Sequence, residues 1–283
     1  MHLQSSSRSE KVIQRRESGS IDLRIESCTR IEDVYPCVQL QGAIWGYSEI
    51  ERVPARTFAV AINIGGSVLI AHDGDVPIGF ALAFPGRHEG IDHLHSNMVG
   101  VLPGYQGCGV GFQLKVKQRE IALEKGFQRI EWTFDPLAIR NAHFNITRLG
   151  AIIRRVLPNA YGISASPLHG GMPTDRLVAE WCLSSRRVMD CLGGADAGPS
   201  MARPVRLVFP AAIAQIKEFE FSRALSIQTT LTEELDRYFS MGYVVSGFVL
   251  EPENAVYLLE PCETNSDCQL LARSRYGIGE QKS

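Results

Sequence analysis

Residues 98–111 constrain this chain more than any other stretch. Met98-Val99-Gly100-Val101-Leu102 is an apolar run, Pro103-Gly104 breaks it, and Gly107, Gly109 and Gly111 then lead into a helical pattern. A strand therefore passes through a short turn into a helix whose first residues are mostly glycine. Glycines there let backbone N–H groups approach a ligand without side-chain obstruction. The start of a helix also leaves N–H donors unpaired at the positive end of its dipole. That combination makes a cradle for a pyrophosphate. A Walker loop needs Gly-Lys-Ser/Thr, whereas Phe112-Gln113 follows the last glycine here, so that reading is excluded. A dinucleotide fingerprint needs GxGxxG directly after the strand, and the spacing Gly107, Gly109, Gly111, well beyond Val101, fits it poorly. Gln106, Gly109 and Gly111 match a third pattern in full, Gln/Arg-x-x-Gly-x-Gly/Ala.

The flanking residues place this turn in a mixed α/β chain. Residues 21–26 alternate as a half-buried strand, with Ile21, Leu23 and Ile25 on one face. A helix follows over the Ile31 to Ile44 region, with Thr29 as expected N-cap and Glu32 completing a capping box. Residues 68–72 and 76–84 are β-rich and flank Asp73-Gly74, a strong hairpin signal. Residues 94–102 read as a strand and 110–125 as a helix closed by Gly126. A strand is expected at 129–134, with Ile130, Trp132 and Phe134 on one face. Asp135-Pro136 then reads as an N-cap and first helical residue of a helix ending near Leu149-Gly150. Beyond a Gly/Pro-rich linker at 191–204, a strand (205–209), a helical region (211–240) and two strands (243–250, 256–259) are expected.

Composition removes several classes of function. The 283 residues suit one large domain or a domain with a smaller companion. A net charge of −2 gives no case for nucleic acid or an anionic membrane surface. No apolar run approaches the roughly 20 residues that span a bilayer, and residues 1–20 are a polar stretch expected to form a disordered tail rather than a secretory signal. Seven cysteines without a CxxC pair argue against a disulfide framework or a metal site. Reduced thiols and a cytoplasmic location are the expectation.

On the strand, the Gln106–Gly109–Gly111 pattern and the element order that follows, the sequence resembles the GNAT acyltransferase superfamily over residues 21–185. The resemblance implies a mixed, mostly antiparallel sheet with splayed central strands flanked by helices, and acetyl-CoA or another acyl-CoA as cosubstrate, without a metal. It implies that Met98, Val99, Gly100 and Val101 pair with the pantetheine arm. Gln106, Gly107, Cys108, Gly109, Val110 and Gly111 would grip the pyrophosphate. The runs at 95–103, 132–137 and 140–145 resemble a bacterial GNAT-related group with a C-terminal extension, here 224–259. The expected organisation is a tail (1–20), a GNAT-like domain (21–190), the linker (191–204), an extension (205–262) and a loose tail (263–283). The implied activity is acyl transfer to the amine of a small molecule such as an amino acid. Succinyl is an alternative acyl group that would suit an Arg-lined pocket. A CoA-binding module without turnover is the competing reading. Partners beyond the acceptor are not expected, and a homodimer is left open.

The chemistry needs a base for the amine, a donor for the oxyanion and a route for the thiolate to leave. A backbone N–H near Val99 would serve the oxyanion. His95 is the first candidate base, on the same strand as the expected pantetheine contact, with His93 sharing its face. A hydrogen-bonded structural histidine is the competing reading. Asp135 is the second candidate, against its reading as an N-cap. Family members carry an Asn and, seven residues on, a proton-donating Tyr, at positions that are Ile139 and Ile146 here. Asn141 and Asn145, one turn apart, are expected to bond the pantetheine or acyl carbonyl instead. His143 reads as a packing residue or a support for its neighbours rather than a nucleophile, and Cys108 as filler in the loop rather than a thiol activated by the helix start. Arg140, Arg148, Arg154 and Arg155 could meet a carboxylate on the acceptor or on the acyl group, and most of them read as solvated helix and strand charges.

Overall fold

The computed structural model describes residues 20–88, 90–162, 171–195 and 198–268. Of the tails expected at 1–20 and 263–283, residue 20 and residues 263–268 are described, the latter as an ordered, partly buried turn and not a loose end; the rest lie outside the described residues. The chain divides into two compact units. The first holds the described residues up to Gly86 together with Leu94–Gly126, and the second holds Arg87–His93 and the described residues from Phe127 onward.

In the first unit the strands run in the order β1 (Leu23–Ser27), β2 (Ser67–Asp73), β3 (Val76–His88) and β4 (Ile91–Val101). The hairpin forms, but with Gly74-Asp75 as its two-residue loop: Gly74 takes φ 58°, while Asp73 is the last residue of β2 and pairs with Val76. Asp73 also accepts the Asp22 N–H at 3.0 Å and the Tyr105 hydroxyl at 3.2 Å, which ties the turn before the glycine loop to the sheet edge. The helices are α1 (Tyr35–Trp45), α2 (Ala55–Asn63) and α3 (Val110–Glu124). Phe58 of α2 packs with Phe80, Leu69 and Leu114 in one apolar core.

One expectation is corrected here, and one helix was not expected. Thr29 does not cap α1. A 3₁₀ turn (Glu32–Val34) precedes the helix, and Asp33 folds back to accept the N–H groups of Thr29 at 3.1 Å and Arg30 at 3.0 Å. Helix α2 carried no strong start signal, since Pro54 caps it without a side-chain bond.

The second unit has strands β5 (Arg129–Phe134), β6 (Ile152–Leu157), β7 (Arg176–Cys182), β8 (Val205–Pro210), β9 (Tyr243–Leu250) and β10 (Asn254–Pro261). Their order is β5-β7-β6-β9-β10-β8, with antiparallel pairing throughout. Residues 205–261 thus continue the sheet, joined through Ile153 and Val245. The stretch 191–204 lies inside this unit, where the Ser200 N–H donates to buried Glu260 at 2.8 Å. The helices are α4 (Ile139–Ala142, running into a π turn at His143–Arg148), α5 (Arg186–Leu192), α6 (Ile213–Phe219) and α7 (Phe221–Ser240). The helical region expected at 211–240 is interrupted at Glu220, whose φ is −134°. No helix among the described residues is long and apolar enough to cross a membrane.

Three further corrections belong to this unit. Asp135 is not a helix N-cap: its Oδ1 accepts the Leu137 N–H at 2.7 Å in a tight turn, and the helix starts only at Ile139. The expectation of reduced thiols fails at one pair, because Cys262 and Cys268 form a disulfide with Cα atoms 5.4 Å apart. A 3₁₀ turn at Cys262–Thr264 and the Asn265 side chain, which accepts the N–H groups of Asp267 and Cys268, curl the chain back on itself. That separation lies within the usual range for a bridge. The other five cysteines form no disulfide. Finally, Ile130, Trp132 and Phe134 do share a buried face, but so do Arg129 and Glu131 on the opposite one.

Candidate functional site

The glycine loop lies wholly within the first unit. After β4, a 3₁₀ turn at Pro103–Tyr105 reverses the chain, and the Gln106 side chain donates to the Val101 carbonyl at 3.1 Å, closing the turn onto the strand end. Gly107 and Gly109 take φ of 81° and 85°, a region that disfavours any side chain. Gly109 caps α3, and the first bond across the cap runs from the Gln113 N–H to the Gly109 carbonyl at 3.0 Å. Among the described residues, the N–H groups of Gly107, Cys108, Gly109, Val110 and Gly111 make no such bond. Successive unpaired N–H groups at left-handed turns, on the positive end of a 15-residue helix, form an anion cradle.

The remaining glycines separate into two kinds. A Cβ on Gly104 would meet nothing within 4 Å, and one on Gly111 only Val101 at 3.8 Å. Neither takes a positive φ, so neither backbone geometry nor packing demands them. They leave the cradle bare. Gly100 differs, since a Cβ there would lie 2.8 Å from the Trp45 ring and 2.9 Å from Ile44. Its role is to admit α1 against β4. Met98, Val99 and Val101 beside it are half-buried, and Cys108 is exposed. His95 is half-buried on β4 in the same unit. Helix α3 also buries Lys115, whose Nζ donates to Ser96 at 3.2 Å and Gln118 at 3.1 Å; burial pushes its amine well below the ordinary lysine value.

In the second unit, Asn141 is exposed while Asn145 is 4% exposed. The expectation that both share one helix face fails because the π turn begins between them and adds a residue to the turn. Among the described residues the Asn145 side chain makes no hydrogen bond. Asp135 is engaged on both oxygens, by Leu137 and by Lys217 of α6 at 2.7 Å. His143, Arg140 and Arg148 are exposed, so His143 is not a packing residue.

Sequence reasoning missed a buried ionic cluster in this unit. Glu131 of β5 and Glu180 of β7 are direct cross-strand partners, a like-charge pairing that alone would destabilise the sheet. Three arginines bridge them. Arg129 Nη2 lies 3.0 Å from Glu131 as an ion pair angled too poorly for a hydrogen bond, and its Nη1 is 3.6 Å from Glu180. Arg154 Nε donates to Glu180 at 3.2 Å, and Arg155 Nη2 to Glu131 at 2.9 Å. Arg154 and Arg155 are therefore paired, not the solvated charges expected of them. His93 is buried with Nε2 3.7 Å from Glu131; burial holds its imidazole below the usual value, and Glu131 opposes the shift. Burial does the same to His88, helped by Arg155. No periodicity reveals this cluster, because alternation assigns Arg129 and Glu131 to a solvent face. Among the described residues no group of acidic, His and Cys side chains could hold a metal ion.

The profile of the acetyltransferase (GNAT) family matches residues 36–145, from α1 through β4, the glycine cradle and α3 to the π turn. Over that stretch the chain is similar to GNAT acetyltransferases. No curated protein matches the chain. Solved structures similar to it include Arabidopsis thaliana Naa50 in complex with a bisubstrate analogue, 16% identical over 56% of this chain and 98% of that one, with a TM-score of 0.46. A GNAT family acetyltransferase from Elizabethkingia anophelis with acetyl-CoA bound is 15% identical over 56% and 97%, with a TM-score of 0.44. An IAA acetyltransferase from Bacillus cereus is 16% identical over 56% and 99%, with a TM-score of 0.43. Ile146, the position that the resemblance gave to the proton-donating tyrosine, is fully buried.

Proposed function

We propose that this GNAT protein transfers an acetyl or other short acyl group from acyl-CoA to the amine of a small molecule. The carrying observation is the row of unpaired N–H groups from Gly107 to Gly111 at the start of α3. In this reading they and the helix dipole hold the pyrophosphate, Gln106 fixes the loop to β4, and Met98–Val101 supplies backbone for the pantetheine arm. The residues fit the group: the cradle is bare of side chains at Gly104 and Gly111 for no internal reason. His95 is the proposed base. Asp135 is the weaker candidate, since Lys217 and Leu137 already occupy its oxygens. Asn145, buried and without a side-chain hydrogen bond among the described residues, is proposed to bond the cofactor arm, and exposed Asn141 contributes less. Amino acids are the first acceptors to test.

Thermal shift with acetyl-CoA, succinyl-CoA, free CoA and NAD decides the cofactor, because a ligand of the native state raises Tm as it passes its Kd. A rise with CoA species and none with NAD is expected. The Cβ of Gly111→Leu would meet only Val101 at 3.8 Å, and the variant should keep its own Tm while losing the CoA-dependent rise. No rise with any CoA species would refute the reading. Replacement of the family tyrosine by buried Ile146 favours one alternative, a domain that binds CoA without turnover. A CoA-dependent Tm rise without thiol release across a broad amine panel would select it.

A further inference from the structure

The ionic cluster of the second unit carries three guanidinium groups against two carboxylates. Apolar residues would fill such a place as stably or more so. The strand is also deformed to build it. The β6–β7 register shifts between Ile153 and Arg155, so Arg154 is an extra residue in a β-bulge. A regular strand would send consecutive arginines to opposite faces. The bulge turns both toward Glu180, and re-aiming side chains next to a site is what bulges do.

The excess charge is not sealed in. The Arg155 side chain is 27% exposed, and its Nη1 makes no hydrogen bond among the described residues. Val178 pairs with Arg155 on one side and Thr133 on the other, so all three lie in one row on one face. Above Thr133 stands Tyr161, 62% exposed, its hydroxyl 3.0 Å from the Thr133 hydroxyl. Tyr161 gains little from burial, yet it is held firmly. Its N–H donates to Thr174 at 2.8 Å and its ring lies 5.4 Å from the Arg176 guanidinium. The turn before it strains Asn159 to φ 44°, which the Asp175 carboxylate and the Thr174 N–H fix through bonds of 2.9 and 3.2 Å. Strain held by over-determined bonds concentrates at functional sites.

We propose that this row, Arg155 with the Tyr161 and Thr133 hydroxyls, is an acceptor subsite that reads a carboxylate, so that the acylated amine belongs to a molecule also bearing a carboxylate, such as an α-amino acid. The inference rests on the acyltransferase reading above and narrows its substrate class. The free edge of a guanidinium matches a carboxylate. A single excess positive charge balances a monoanion, whereas a dianionic phosphate would face Glu131 and Glu180 in excess. The two hydroxyls offer acceptors to the neighbouring ammonium group.

The test measures thiol release with saturating acetyl-CoA for the twenty proteinogenic amino acids, each beside its methyl ester, which keeps the amine and masks the carboxylate. At least one acid should exceed its ester in kcat/KM by roughly tenfold or more, as a site built around a polar partner discriminates. Arg155→Met should abolish that preference through KM for the acid, with KM for acetyl-CoA unchanged. Arg155→Lys keeps a charge over Glu131, so it tests the same point should the Met variant fail to fold, and it too should weaken the preference. Equal rates for acids and esters, or a preference that survives both variants, would overturn the proposal. Calorimetric titration of the same pairs covers the case without turnover. Acid binding lost in the variants upholds the subsite while the catalytic reading fails, and absence of acid binding overturns the subsite. Failure of acetyl-CoA to raise Tm tells against the cofactor reading alone.

Discussion

Single residues in this protein separate structural from ligand-directed glycine. Gly100 has no freedom, because its missing side chain is filled by Trp45 and Ile44. Gly100→Ala is expected to destabilise by about 1–3 kcal/mol through overpacking, seen as a lower urea midpoint at unchanged m. Titration acts at the same scale. Burial holds the imidazoles of His93 and His88 below the ordinary histidine value, among Glu131, Arg129, Arg155 and Glu180. As pH falls through about 6.5, the unfolded chain takes up protons at these residues before the folded chain does. Their contribution is therefore complete above that pH and is lost on acidification. Tm should drop between pH 7.5 and 5.5, and His93→Gln should flatten the drop; an equal slope in both proteins would contradict this.

Among the elements, the π turn and the β6 bulge both depart from regular geometry, and each is supported from elsewhere in its unit. Arg187 of α5 is buried and donates to the carbonyls of Gly150 at 3.0 Å, Ser246 at 2.6 Å and Ile146 at 3.4 Å. The Trp181 indole caps the Leu149 carbonyl at 2.6 Å. The Ile146, Leu149 and Gly150 carbonyls lie in or just beyond the π turn, and the Ser246 carbonyl belongs to β9. Arg187→Met leaves them buried and unbonded, and a loss of about 2–4 kcal/mol follows, measurable by equilibrium denaturation. Elements were legible where one local signal sufficed. Asp73-Gly74, Gly126 and the 129–134 alternation each placed a boundary, whereas the Asp135-Pro136 pair misled because a side chain took the Leu137 N–H before a helix could begin.

For the whole molecule, the question is where the second unit ends. Strands β8 to β10 and helices α6 and α7 belong to it, with β9 joined to β6. Tyr257, buried on β10, donates to the Pro136 carbonyl at 2.7 Å, and Thr232 of α7 to Asp175 at 2.8 Å. A chain stopped at residue 204 would expose the β6 edge and these polar groups. It should be recovered mainly as aggregate, or with a strongly reduced Tm, relative to the full chain. A soluble, equally stable fragment would instead establish 205–262 as a separate extension.

The sequence by itself determined the elements around the glycine turn and the anion-binding chemistry of that turn. Those depend on neighbours within a few residues: φ freedom at Gly107 and Gly109, strand alternation, and the unpaired donors of one helix start. Only the tertiary structure decided which charges are buried. Glu131 and Glu180 are far apart in the chain and meet through strand register, and Arg154 joins them through a one-residue bulge. Register and bulges arise from long-range pairing, for which no local residue pattern carries the information.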